Sequence, residues 1–208
     1  MNNIMDNKNF IKDFVSERYI EEKRESCLMV ALQNARILSR RDKEGNFLSI
    51  EVAEKLDELI DFNSFIGLVN YLIILDMIGV VFTNTVEVGK RIDEVLQEFG
   101  NINCEKDRQA ICSLRNCLAH NYGLVDNKKN IKFILDNSCD VIVKHPVKDW
   151  NGSYNTEDES TSTIINPQKL IDKIEAVYEE VKKRVLEGSL TTDFTKNELK
   201  SRFTIMCE

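Results

Sequence analysis

Proline and glycine are scarce: two and eight, respectively, in 208 residues. That shortage excludes a turn-rich all-β design, which needs both residue types at its chain reversals. The six cysteines (Cys27, Cys104, Cys112, Cys117, Cys139, Cys207) include no CxxC pair, so a zinc site lacks its usual ligand spacing. Scattered thiols and no recognisable signal peptide lead to the expectation of a reduced, cytoplasmic protein. Basic charge is in deficit, with 28 Lys and Arg against 35 Asp and Glu and a net charge of −7. Bulk electrostatics therefore do not draw the chain onto nucleic acid, and RNA binding requires a local basic patch. The chain also lacks a Walker loop, a Rossmann glycine pattern, an HExxH motif and a nucleophile elbow. The expectation is an activity without cofactor or metal.

What is present is helical periodicity. A composition 42% hydrophobic and 30% charged is that of a soluble globular chain. Residues 10–40 carry apolar positions Phe14, Ile20, Leu28, Ala31, Ala35 and Leu38 roughly on one face, and residues 1–8 read as a frayed polar end. Gly45 pivots a turn, and Ser49 is placed to cap a helix running from Ile50 to about Ile60. Residues 64–82 are nearly all apolar, but Asn70 and Asp76 interrupt them. An aspartate near a bilayer centre costs about 3 kcal/mol, so this stretch reads as a buried helix rather than a membrane span. Being apolar around its circumference, it suggests a subunit interface and hence a homodimer. Amphipathic helices follow at 86–99 and 103–122. The period then changes. Residues 130–136 and 140–146 read as the two strands of a hairpin, 148–163 as a polar loop, and 167–187 as a last helix packing on the core. The expected architecture is a single all-α domain over 1–208, with a helical core at about 10–123 and a small C-terminal β-hairpin at about 130–146.

The chemistry concentrates in LRNCLAHNY, residues 114–122. Arginine offers a permanently charged planar fork that fits a phosphate at two points. Histidine gives or takes a proton near neutral pH. Together they suffice for metal-free RNA cleavage: an imidazole deprotonates the ribose 2′-hydroxyl or protonates the leaving 5′-oxygen, and a guanidinium holds the charge growing on phosphate. DNA lacks that hydroxyl, so this chemistry selects RNA; the alternative is that Arg115 is a surface charge and His120 a satisfied histidine at a helix end. Arg115 and His120 lie about 140° apart on an ideal helix, whereas Asn116 and His120 share a face, from which Asn116 is placed to orient the imidazole. Arg108, seven residues before Arg115, is a second candidate phosphate contact. Lys128, Lys129, Lys132, Lys144 and Lys148 cluster around the expected hairpin and are candidates for the basic patch, with Lys128 and Lys129 nearest the motif. His145, before Pro146, reads as a surface residue at the hairpin end, and Cys112 and Cys117 as packing residues.

RNCLAHNY at 115–122 resembles the R-x4-H-x-Y motif of the HEPN superfamily, in the form found in HepT-type toxins. The resemblance implies a helical bundle that dimerises across a shared cleft. It implies a metal-independent ribonuclease, often a bacterial toxin or antiphage defence effector, with Arg115 and His120 catalytic and Asn116 supporting them. It further implies that Tyr122 is a site of regulatory modification by a nucleotidyltransferase-type antitoxin. The segments beyond residue 123 exceed a minimal HepT and look more like longer HEPN proteins. Some HEPN domains bind a nucleotide, RNA or protein partner without catalysis.

Overall fold

The computed structural model describes residues 2–21, 23–48, 64–121, 123–154 and 159–207. The expected Ser49 cap and 50–60 helix, and Tyr122, lie outside these residues. Seven helices, named α1 to α7 in chain order, are described: α1 (Asn2–Ser16), α2 (Cys27–Leu38), α3 (Ser64–Phe82), α4 (Val88–Glu98), α5 (Glu105–Asn121), α6 (Pro167–Glu187) and α7 (Lys196–Phe203). The chain is predominantly helical but not all-α, because seven short strands form two sheets.

The bundle is built around α3. Its neighbours are α2, α4, α5 and α6. Leu68, Tyr71, Leu72, Ile74, Leu75 and Ile78 are all essentially inaccessible. A Cβ on Gly67 would stand 2.0 Å from the Ser39 hydroxyl, and one on Gly79 would stand 2.9 Å from the Arg91 Cβ, so glycine lets α2 and α4 approach α3 closely. The apolar window Phe65–Phe82 is long enough to cross a bilayer, yet 61% of it is buried inside the fold. Its cover thus comes largely from this chain, and the composition of α3 alone does not require a second subunit.

The long helix expected over 10–40 is two helices separated by a ribbon. Helix α1 starts at Asn2, where a frayed end was expected, and buries Phe10, Ile11, Phe14 and Val15. Strands β1 (Tyr19–Glu21) and β2 (Arg24–Ser26) follow, and Ser26 then caps α2 by accepting from Met29 N at 3.3 Å. Ser26 also donates to the Phe14 carbonyl at 2.7 Å, which ties the two helices together. At the other end of the chain, a Thr195–Glu198 capping box starts α7, and β7 (Thr204–Met206) returns to pair antiparallel with β2.

The expected hairpin lies one strand earlier. Strands β3 (Val125–Asp126) and β4 (Ile131–Leu135) pair antiparallel around the turn 127–130, in which Asn130 is left-handed at φ 57°. Beyond β4 the chain turns at Asp136–Ser138 and forms β5 (Val143–Lys144), but β4 and β5 do not pair with each other. Strand β6 (Thr163–Ile165) lies between them, parallel to β4 and antiparallel to β5. The polar-loop reading of 148–163 stopped at the first residue of this strand, and Ile164 and Ile165, between that loop and the helix at Pro167, are too short a run to signal one. All three are buried, which places β6 at the centre of the sheet. Helix α6 is as expected: Asn166 caps it from Lys169 N at 2.9 Å, Pro167 occupies the first turn, and left-handed Gly188 ends it. Its buried stripe Leu170, Ile174, Val177, Val181 and Val185 faces the core.

Candidate functional site

A groove of about 600 Å³ opens between the last turns of α5 and the β3–β4 turn. Asn116, Cys117 and His120 line it from the helix, and Val125, Asp126, Asn127, Lys128 and Lys129 from the turn. The turn is held locally. The Asp126 carboxylate accepts from the backbone N–H groups of Lys128 and Lys129 at 3.0 and 3.1 Å. Asn130 donates to the Trp150 carbonyl, and the Tyr154 hydroxyl donates to Asn127 at 3.2 Å, so the 150–154 segment braces the turn from behind. Lys129 crosses to the helix and donates to Ser113 Oγ at 2.9 Å. Among the described residues, neither Lys128 nor Lys129 forms an ion pair. The groove thus carries two ammonium groups, from Lys128 and Lys129, beside one carboxylate, Asp126.

His120 is exposed in the last turn of α5. Cys117 is 3% exposed on the same groove, and burial pushes its thiol up to about 11. A raised thiol is a poor source of thiolate, so Cys117 serves the groove as a wall.

Arg115 does not join His120 in this groove. It turns onto α3, where Nη2 donates to Asp76 Oδ2 at 2.8 Å with side chains 13% and 18% exposed. Asp76, the interruption in the apolar run, is thus the partner of the motif arginine. The pair is incompletely satisfied: Arg115 Nε and Asp76 Oδ1 are both buried without a hydrogen-bond partner. The other Arg115 nitrogen, Nη1, donates to Asn116 Oδ1 at 3.3 Å. Asn116 is therefore held by Arg115, where a bond to the imidazole was expected, and its amide N–H groups make no hydrogen bond among the described residues. Removing either charge of the Arg115–Asp76 pair should lower stability by roughly 1.5–3 kcal/mol, the range for hydrogen bonds to charged groups. Because one loss orphans the other, Arg115→Met with Asp76→Leu should cost less than the sum of the single changes in urea melts. Additive losses would mean that the two side chains do not depend on each other.

Arg108 is also not free for phosphate. It is 6% exposed, with Nε on Asp93 at 2.8 Å and Nη1 on the Ile102 and Asn103 carbonyls at 2.8 and 3.0 Å. It fastens α5 to α4 and to the loop before α5. Lys132 is likewise buried, at 7% exposure, and does not contribute to a surface patch. Of the residues singled out from sequence, the groove unites Asn116, His120, Lys128 and Lys129, while Arg115 and Arg108 lie in the scaffold beneath them. Sequence reasoning missed Asp126, whose signal was the Asp-Asn-Lys-Lys-Asn turn composition. In comparisons with protein families, with curated proteins and with solved structures, the chain matches none.

Proposed function

We propose that the chain is a metal-independent endoribonuclease of HEPN type, with His120 as its proton-transfer residue and Lys128 and Lys129 as its phosphate contacts. The observation that carries this reading is the groove itself: an exposed imidazole, an amide, the Asp126 carboxylate and two ammonium groups without ion-pair partners among the described residues line one cleft in an otherwise acidic protein. The 2′-hydroxyl of RNA supplies the nucleophile, His120 moves the proton, and the lysines and the Asn116 amide hold the phosphate oxygens. Arg115 is a positioning residue in this scheme, acting through Asn116. A toxin or antiphage role, and control through Tyr122 by a nucleotidyltransferase-type partner, extend the proposal on the resemblance alone.

A second reading has its own support. The arginine expected at the phosphate is bonded to Asp76 instead, which suits a groove that binds RNA or a nucleotide without cleaving it. Salt dependence tests what both readings share. Lys128→Ala and Lys129→Ala should each weaken binding of a single-stranded RNA. Each should also reduce the slope of log affinity against log salt by about 0.7, the value for one phosphate no longer neutralised on a single strand. Unchanged slopes in both variants would remove this groove as the RNA site.

A further inference from the structure

At the opposite end of α5 from His120, three donor side chains that no sequence spacing connects come together. Cys104 stands just before the helix, Asp107 is in its first turn, and His145 arrives directly after β5. One donor atom from each lies within 4.8 Å of the other two. His145 Nε2 and Asp107 Oδ1 are 2.7 Å apart. We infer that Cys104, Asp107 and His145 form a binding site for a divalent transition metal of zinc's chemistry, with three protein donors and a water in the fourth position.

The donor set suits that ion. One sulfur, one imidazole nitrogen and one carboxylate oxygen are the ligand types of zinc, and they disfavour calcium or magnesium, which take oxygen alone. Bond lengths of about 2.0–2.3 Å to a tetrahedral zinc place donors roughly 3.3–3.7 Å apart. The His145–Asp107 separation of 2.7 Å is shorter than that, so the hydrogen bond opens by side-chain rotation to admit the ion, and the thiol already lies within 4.8 Å of both partners. Cys104 and His145 are exposed, which leaves the fourth position to solvent.

The backbone around the cluster is held by structure already described. Arg108 bonds the carbonyls of Ile102 and Asn103, and its own N–H donates to the Cys104 carbonyl at 3.2 Å, so the residue before the helix is fixed. Lys144 is registered against Ile164 in the sheet, and Pro146 restricts His145 to extended backbone. A bound metal would therefore staple the start of the motif helix to the second sheet. Asp107 and His120 are 13 residues apart on α5, about 20 Å by helix rise, so the metal site is separate from the groove.

The test uses the full chain freed of metal. One equivalent of cobalt(II) should produce thiolate-to-cobalt charge-transfer absorbance together with the visible bands of tetrahedral cobalt. Cys104→Ser should lose the charge-transfer absorbance. Asp107→Asn and His145→Gln should weaken zinc binding by more than the roughly 10–100-fold that follows loss of an outer partner of a ligand. Stoichiometric zinc should also protect Cys104, the exposed thiol among the six, from alkylation. Identical cobalt spectra from wild type and Cys104→Ser, or alkylation of Cys104 undiminished by zinc, would overturn the site. None of these readouts depends on RNA cleavage.

Discussion

Glu175→Ala destabilises the protein by about 3–5 kcal/mol, the range for stranding the partner of a buried ion pair. Glu175 projects from α6 into the bundle and holds Arg36 of α2 at two points, 2.9 and 2.7 Å. The Tyr71 hydroxyl of α3 donates to the same carboxylate, and Arg36 donates onward to the Lys43 carbonyl. A Cβ added at Gly45 would stand 2.9 Å from this carboxylate, so the 41–47 turn packs directly over it. Three helices and a loop thus converge on one side chain. Burial, with the neighbouring carboxylate, pushes the Tyr71 hydroxyl well above its ordinary value, so it remains a donor throughout the accessible pH range. In Glu175→Ala, Arg36 keeps its charge at 5% exposure with no counterion, and Tyr71 loses its acceptor. The apolar triple variant Arg36→Met, Tyr71→Phe, Glu175→Leu should recover most of the lost stability, because no buried charge is then left stranded and only the Lys43 carbonyl loses a donor. Urea melts measure both. A loss below about 1 kcal/mol in Glu175→Ala would mean that water reaches the pair and screens it.

That network explains what could and could not be read from sequence. Helices α3 to α6 follow the apolar period within two residues at each end, because each buries one long stripe or, for α3, most of its length. The ribbon β1–β2 was hidden by the charged run from Arg18 to Glu25, which leaves the helical period of its flanks undisturbed. Its stabilising strand comes from the far end of the chain, and β6 likewise pairs with strands distant in sequence; such non-local pairing carries no local signature. The same limit applied to the site. His120, Asn116, Lys128 and Lys129 lie close together in sequence, and their convergence was legible. Whether an arginine faces solvent or a buried carboxylate depends on residues 39 positions away for Arg115 and 15 for Arg108. The cluster of Cys104, Asp107 and His145 was invisible for the same reason, since His145 is contributed from 38 positions beyond Asp107.

His120→Ala should reduce RNA cleavage by about 10²–10⁴-fold, the usual cost of losing a general acid–base. The fold should be unaffected, because His120 is exposed and makes no hydrogen bond among the described residues. Arg115→Ala should also reduce cleavage, but through Asn116, which it holds at 3.3 Å, and with a measurable loss of stability. Asn116→Ala should reproduce the catalytic part of that loss without most of the destabilisation. Combining Arg115→Ala with Asn116→Ala should then slow cleavage little further than either alone, since the two act as a unit. Thermal melts and single-turnover rates on the same preparations separate positioning from stability. A well-folded His120→Ala protein that cleaves at the wild-type rate would leave the groove a binding site.

The most direct measurement is the end chemistry of RNA cut by the wild-type protein in excess EDTA. A histidine-driven attack of the 2′-hydroxyl leaves 2′,3′-cyclic phosphate and 5′-hydroxyl ends, needs no metal, and does not touch single-stranded DNA. Wild type should give that outcome and His120→Ala should lose it. Cleavage that stops in EDTA and returns with magnesium, or that leaves 5′-phosphate ends, would contradict it.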